Sequence, residues 1–203
     1  SFQILLFLTV PAAMGISVLA DEFYLVFYEA SETGATVLAH YAPVAILFAL
    51  YPVTTAILQG IDRQKLIILN LLLGILTKLI LNTPLIKAFE TDGAIIATAC
   101  GYLVAIGLNL FAIRKTLHYK SNMVVRRVML IIIVNVIMLV LVFLVKLGFG
   151  QFMTIDTKLE GLLAIIVCAG IGAVFYAFVT LRLGLAQKLF GERLTRFTKK
   201  IGF

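Results

Sequence analysis

The chain has 203 residues, of which 62% are hydrophobic and only 13% are charged, and its mean hydropathy is +1.10. These values lie far outside those of soluble globular domains, so the composition excludes an ordinary soluble domain in spite of a net charge of +7. The composition predicts an all-α, polytopic membrane protein built as a helical bundle.

Six windows of about 20 residues carry almost no charge and are long enough to cross a bilayer as helices. They cover residues 2–20, 36–58, 66–86, 93–113, 128–147 and 160–181. The first window lacks the basic start of a secretory signal, and the chain begins at Ser1. We therefore expect the chain to be a fragment or a processed piece of a longer protein.

Polar side chains share one face in each of the second, third and fourth spans. In the second span, Pro43 and Pro52 are both expected to bend the helix. In the third span, Lys78 is the feature that stands out, because an ammonium group near the middle of a span is costly in hydrocarbon. Three neighbouring polar faces predict a hydrated cavity that these spans line.

The predicted substrate pathway consists of the polar residues on these three faces. They are Lys78, Asn70, Thr77, Asn82, Tyr51, Thr54, Thr55, Gln59, Tyr102 and Asn109. Hydrogen bonding between packed helices is the alternative interpretation for any single Thr or Asn, because such side chains commonly join helices inside membranes. Lys78 is expected to be the only full positive charge within a span.

The fifth and sixth spans have no comparable polar face. Apart from Asn135 the fifth is aliphatic, and the sixth has Ala169, Ala173 and Ala177 at four-residue spacing, which predicts a packing seam of small residues. Both spans are expected to stand outside the cavity, toward lipid. Cys100 and Cys168 lie within spans without a CxxC spacing, so we interpret them as packing residues and expect no metal site.

The loop charges alternate along the chain. Segment 21–34 has only acidic charges and is expected to be solvated, whereas segments 59–65 and 114–127 and the end of the chain are basic. The positive-inside rule then places both ends of the chain in the cytoplasm, which fits six spans. This distribution favours membrane topology, and not nucleic acid, as the explanation of the net charge.

The tail, 182–203, has apolar and basic residues on different faces of a helix. This pattern predicts an amphipathic helix that lies on anionic lipids of the cytoplasmic leaflet, and a disordered basic tail is the alternative. Enzyme signatures are missing, since no glycine-rich phosphate loop or paired intramembrane carboxylate is present, and His40 and His118 lie in different segments. We therefore expect no catalysis and no cofactor.

Two stretches carry a family resemblance: AILQGIDRQKLIILNLLLGILTKLILNTPLI at 56–86 and TDGAIIATACGYLVAIGLNL at 91–110. They resemble the polysaccharide flippases of the multidrug, oligosaccharidyl-lipid and polysaccharide exporter superfamily, and within it most closely the MurJ, YtgP and SpoVB group of lipid II flippases. The L-Q-G-x-x-R-Q-K loop and the downstream K-x-x-L-N carry the likeness, which covers about 1–181.

This resemblance implies a fourteen-helix fold in a bacterial cell membrane, of which the chain would form the last six helices. Residues 1–117 would then be four helices of the second transport lobe, 118–181 a peripheral helix pair that offers a groove for a polyprenyl tail, and 182–203 the basic tail. The implied partners are a lipid-linked oligosaccharide pyrophosphate and the N-terminal half of the same transporter, where the family carries its arginine-rich substrate site. The implied function is translocation of a lipid-linked cell-wall precursor to the outer leaflet by alternating access.

Three alternatives remain open at the level of sequence. The first is an exporter of another polyprenyl-linked polysaccharide precursor. The second is a cation-coupled drug antiporter of the same superfamily, which an intramembrane carboxylate would favour. The third is a membrane scaffold that anchors wall-synthesis enzymes without transporting anything.

Overall fold

The computed structural model describes residues 2–28, 31–117, 122–152 and 157–182, and within these ranges it contains helices and no strand. The helices are α1 (Phe2–Val18), α2 (Ala20–Phe27), α3 (Glu32–Tyr41), a 3₁₀ turn (Ala42–Val44), α4 (Ala45–Gly60), α5 (Gln64–Leu117), α6 (Asn122–Phe152) and α7 (Lys158–Arg182). Helices satisfy their backbone hydrogen bonds internally, as a chain in hydrocarbon requires. The predicted all-α class is confirmed.

Several helices are long and apolar enough to cross a membrane. Within the described ranges they number four, namely Glu32–Gly60, Gln64–Leu117, Val128–Gly148 and Lys158–Arg182, or five if the bent pair α1 and α2 forms one span. Their outer surfaces are aliphatic: Ile80 and Val174, for example, are each 72% exposed. Such surfaces fit lipid and not water, because soluble proteins rarely expose large contiguous apolar patches.

Helix α5 folds back on itself at Glu90, whose φ of 50° and ψ of −122° are not helical. The side chains of Asn70 and Asn109 are 2.8 Å apart, whereas a straight helix would separate them by roughly 58 Å. Residues 64–89 and 91–117 are therefore two antiparallel arms of a hairpin. At its turn, a Cβ on Gly93 would clash with the carbonyl group of Leu85, so glycine permits this close approach.

The two arms cross at a pair of glycines. A Cβ on Gly74 would lie 2.6 Å from the Gly101 carbonyl oxygen, and a Cβ on Gly101 would lie 2.8 Å from that of Gly74. Small residues allow membrane helices to approach through their backbones, which maximises van der Waals contact. The Gly74–Gly101 crossing therefore fixes the spacing of the arms.

Helix α4 ends in a Schellman motif that leads directly into α5. The Arg63 N–H donates to the Leu58 carbonyl at 2.9 Å and the Asp62 N–H donates to the Gln59 carbonyl at 3.0 Å. Asp62 occupies the left-handed position with a φ of 55°, which aspartate tolerates better than most residues. The motif therefore fixes the backbone position of Arg63, directly before α5.

The chain divides into two compact units, one within 1–2 and 40–121 and the other within 3–39 and 122–203. The second unit has a core of Phe7, Leu19, Ile131, Val134, Met138, Val142, Cys168 and Tyr176. Cys168 is thus a packing residue, as expected. These units follow other boundaries than the expected functional domains, which stay a prediction.

A side-chain hydrogen bond in the second unit satisfies a backbone carbonyl that a proline leaves without its helical donor in α1. Pro11 has no N–H to bond the carbonyl of Phe7, four residues earlier. The Tyr176 hydroxyl donates to that carbonyl at 2.9 Å, and the Phe7 and Tyr176 rings lie 5.1 Å apart. This contact joins α1 to α7.

The bend between α1 and α2, which measures 77°, holds a partly buried ion cluster that the sequence did not predict. The Lys146 Nζ lies 2.9 Å from Asp21 Oδ2 and 3.1 Å from Glu22 Oε2, and it donates to the Val18 carbonyl at 2.9 Å. Glu22 is only 3% exposed, so the expectation that the whole acidic segment is solvated is wrong. The expectation that Lys78 is the only cation within a span is also wrong, because Lys146 lies in the candidate span Val128–Gly148.

The packing seam expected in the sixth span also needs correction. The α7 packing face consists of Gly161, Ala164, Cys168, Gly172, Tyr176 and Thr180, whereas Ala169, Ala173 and Ala177 are exposed. From Ala164 to Thr180 the buried stripe also repeats every four residues, but it lies one position before the three alanines, which places them about 100° further around the helix. Pro43 interrupts its helix at the 3₁₀ turn, and Pro52 lies inside α4, where the expected bend stays a prediction. The amphipathic helix expected at 183–203 lies outside the described residues.

Candidate functional site

A chain of buried hydrogen bonds joins three helical segments of the first unit. The Asn70 side-chain amide donates to Asn109 Oδ1 at 2.8 Å, and the Asn109 amide donates to the Thr54 hydroxyl at 3.2 Å. The Thr54 hydroxyl donates in turn to the Tyr51 carbonyl at 2.8 Å. Asn109 and Thr54 are fully buried and Asn70 is 6% exposed. We call Thr54, Asn70 and Asn109 the polar bridge, and its geometry matches the packing interpretation of these residues.

Lys78 lines a cavity of about 210 Å³ between the two α5 arms, which we call the Lys78 cavity. Its walls are Leu71, Gly74, Ile75, Lys78, Thr98, Gly101, Tyr102 and Ala105. The Lys78 side chain is exposed, and within the described ranges no carboxylate lies at ion-pair distance from it. Lys78 is therefore a cation without a counter-ion, beside an open space.

Aromatic rings back the Tyr102 side of this cavity. The Tyr102 ring centroid lies 4.7 Å from that of Phe48 and 5.8 Å from that of Tyr51, both in edge-to-face arrangements. Such pairs are favourable beyond the area they bury and hold each ring in place. Tyr51 therefore packs against Tyr102 and is not itself among the residues that line the Lys78 cavity.

The remaining residues of the predicted pathway do not converge on Lys78. The hydroxyls of Thr77 and Thr55 bond back to the carbonyls of Leu73 and Pro52, each at 2.8 Å. Asn82 is half-buried and Gln59 is exposed near the end of α4. The structure therefore brings Lys78 together with Tyr102 and brings Asn70 together with Asn109 and Thr54, in two separate places.

A second cavity of about 640 Å³ lies on the other side of the polar bridge, and we call it the Arg63 cavity. It is lined by Arg63, Leu66, Asn70, Leu108, Phe111, Ala112, Lys115 and Thr116. Sequence reasoning assigned Arg63 and Lys115 to loops and did not select them. Pairing Asn70 with Asn109 would have indicated them. Seven residues before Asn70 is Arg63, and seven residues after Asn109 is Thr116, the neighbour of Lys115.

The second unit has an apolar groove of about 340 Å³. Its walls come from the segment formed by α1 and α2, from α6 and from α7. The lining residues are Phe7, Leu8, Pro11, Ala12, Gly15, Ile16, Leu19, Phe23, Met138, Val142, Ala169, Gly172, Ala173 and Tyr176. Ala169 and Ala173 are thus wall residues of this groove. Across the described part of the chain, no group of three or more His, Cys, Asp or Glu side chains is placed to hold a metal ion.

Within the described ranges, these features define a multi-pass helical membrane protein whose first unit has cations without a counter-ion at two cavities and whose second unit has an apolar groove. Over 205 residues the chain is 38% identical to the lipid II flippase MurJ of Bacillus subtilis (strain 168), covering 98% of this chain and 38% of that protein. It is 27% identical over 213 residues to the uncharacterized membrane protein YabM of the same organism, with the same shares. No protein-family model matches the chain.

The chain thus spans about two fifths of the length of the curated relatives it matches. The resemblance to lipid II flippases that was predicted from the sequence is confirmed over nearly the whole chain. The chain is accordingly a multi-pass bacterial membrane protein of MurJ-like sequence.

Proposed function

We propose that the chain forms part of a membrane flippase that moves a lipid-linked cell-wall precursor from the cytoplasmic to the outer leaflet by alternating access. The observation that carries the proposal is the 38% identity to a lipid II flippase over 98% of the chain. The protein would act without bond chemistry, as a transporter and not as an enzyme. Its substrate would be a lipid-linked oligosaccharide pyrophosphate.

The proposed topology has six spans with both ends of the chain in the cytoplasm. Six results when each arm of the α5 hairpin is counted as a span and α1 with α2 as another, and the alternating loop charges supply the orientation. In this proposal the spans are the last six of a fourteen-helix transporter, whose other helices supply the rest of the substrate site.

The substrate pathway is proposed to run beside Lys78 and Tyr102. An uncompensated ammonium group raises the local potential, so it would favour a pyrophosphate in passage. The apolar groove between α1, α6 and α7 would hold the polyprenyl tail, which needs a wall without buried polar groups. The basic tail after Arg182 would associate with anionic lipids.

The alternatives differ in how well observations support them. Sequence alone favoured a flippase over a cation-coupled antiporter because no intramembrane carboxylate was expected, yet Glu22 is buried within the bent pair of helices. Glu22 lies 3.1 Å from Lys146, so its charge is already compensated, which supports a structural role for that carboxylate. An exporter of another polyprenyl-linked precursor and a wall-enzyme scaffold are the outcomes that the following test separates.

The test is lipid translocation by the whole protein in proteoliposomes. A fluorescent lipid II analogue is incorporated into both leaflets. An impermeant quencher added outside removes the fluorescence of the outer leaflet, and the further loss of fluorescence measures how fast lipid of the inner leaflet crosses. Rapid crossing of lipid II, with slow crossing of a polyprenyl diphosphate that carries a different glycan, is expected. If neither lipid crosses, the result supports the wall-enzyme scaffold. If the lipid with the second glycan crosses faster, the result supports an exporter of another polyprenyl-linked precursor.

A further inference from the structure

Two cations face the Arg63 cavity from the ends of the two α5 arms. Arg63 is held there by the Schellman motif at the end of α4, in which its own N–H donates to the Leu58 carbonyl at 2.9 Å. Lys115 lies in the last turn of the second arm. The hairpin register, set by the bond between Asn70 and Asn109, brings the two side chains to the same cavity.

The lining of this cavity offers positive charge without compensation. It includes no acidic residue among those the structure describes, and neither Arg63 nor Lys115 has a carboxylate at ion-pair distance there. The other polar lining groups are engaged, because the Thr116 hydroxyl donates to the Ala112 carbonyl at 3.0 Å and Asn70 belongs to the polar bridge. The guanidinium and ammonium groups are therefore the donors that remain for a ligand.

Membrane topology alone does not account for this pair. Basic residues near helix ends orient a membrane protein and interact favourably with the C-terminal end of a helix dipole. Lys65 and Arg114 lie at the same ends of the arms and serve orientation, and Arg114 also lies in the last turn of its helix, yet neither lines the cavity. These two neighbours are matched controls for any effect that depends on net charge alone.

We propose that the Arg63 cavity is an anion site that binds a diphosphate group, with the Arg63 guanidinium on one phosphate and the Lys115 ammonium on the other. Guanidinium groups bind phosphate oxygens in a bidentate manner and ammonium groups act as compact charges, so the pair suits two linked phosphates. The cavity volume of about 640 Å³ leaves room for the group and its water. Assigning the diphosphate to a polyprenyl lipid rests on the proposed function, whereas the anion site itself does not.

The first experiment measures binding of inorganic pyrophosphate to the full chain, purified in detergent at low ionic strength, by isothermal titration calorimetry. Arg63→Gln and Lys115→Gln should each weaken binding by about tenfold, the loss expected for one charge-assisted contact. Lys65→Gln and Arg114→Gln should change it by less than about threefold, because they remove the same charge outside the lining. Equal losses in both pairs, or no binding to the parent chain, would overturn the site.

The second experiment identifies the source of the diphosphate by competition in mixed micelles. Polyprenyl diphosphate should displace pyrophosphate from the parent chain, and phosphatidylglycerol at the same mole fraction should not, since it presents a single phosphate. Equal displacement by phosphatidylglycerol overturns the diphosphate assignment. If polyprenyl diphosphate competes but the whole protein translocates no lipid, the site stands and the proposed function fails.

Discussion

Lys78 is a cation within a span that has no carboxylate at ion-pair distance in the part of the chain that the structure describes. Its side chain is exposed beside the Lys78 cavity, and a lysine at the centre of a span costs about 2.5 to 3.5 kcal/mol on insertion. Lys78→Met keeps the length of the side chain and removes the charge, so we expect normal or improved insertion together with slower lipid translocation. Lys78→Arg should retain part of the rate. Full complementation of a flippase-depleted strain by the Met variant, at normal expression, would show that the charge has no role in transport.

Asn109 holds the centre of the polar bridge, since it accepts from Asn70 and donates to Thr54. Asn109→Leu removes both bonds and takes the acceptor away from the buried Asn70 amide, while Thr54 keeps its bond to the Tyr51 carbonyl, so we expect the free energy of unfolding to fall by about 0.6 to 2 kcal/mol. Asn82→Leu makes the same chemical change on a half-buried residue of the neighbouring arm and should have a smaller effect. Reversible unfolding in mixed micelles measures both. Equal effects would mean that the bridge contributes no more than an ordinary polar side chain.

At the scale of helices, the α5 arms depend on the crossing of Gly74 and Gly101. Gly101→Ala would place a Cβ 2.8 Å from the Gly74 carbonyl oxygen and 3.1 Å from the Lys78 Cβ, so the arms must separate and the protein should lose stability. Gly107→Ala is the control in the same arm, because a Cβ there meets nothing within 4 Å. That change should be neutral or stabilising by up to about 1 kcal/mol, the difference in helix propensity. Thermal melting in detergent should rank the two variants in this order.

The bend between α1 and α2 depends on Lys146. Lys146→Met leaves Glu22 buried without a counter-charge, and breaking a buried ion pair in this way costs about 3 to 5 kcal/mol. The double variant Lys146→Met with Glu22→Gln should recover much of that loss, since no charge is then buried. Lys158→Met, at an exposed position on α7, should have little effect. A double variant as unstable as Lys146→Met would point to the Val18 carbonyl and Asp21 as the important partners.

The sequence predicted elements better than their contacts. Hydrophobic windows located the helices, and polar faces selected the Thr54, Asn70 and Asn109 that bond to one another. The Lys146 cluster was missed because segment 21–34 was taken to be a solvated loop, although it forms most of α2 and the start of α3. The Arg63 cavity was missed because its two cations become neighbours only through the register of the hairpin, which no single-helix pattern specifies.

At the scale of the whole molecule, orientation is the property that the loop charges predict. Cysteine placed at Glu90, at the turn of the α5 hairpin, should react with an impermeant thiol reagent added outside intact cells. Cysteine at Arg114 should react only after the cells are opened. Cys100 and Cys168 are first replaced by alanine so that the introduced thiol is the one reported. The reverse labelling pattern would invert the proposed topology.

The bond between Asn70 and Asn109 also has a consequence for biogenesis. The two residues are 39 positions apart, so the first arm leaves the ribosome well before the partner of its buried amide has been made. During that interval the first arm carries both an unsatisfied amide and the Lys78 charge, each of which disfavours release into lipid. The insertion machinery is therefore expected to retain the first arm until the second arm arrives, and to hand both to the bilayer as a single hairpin.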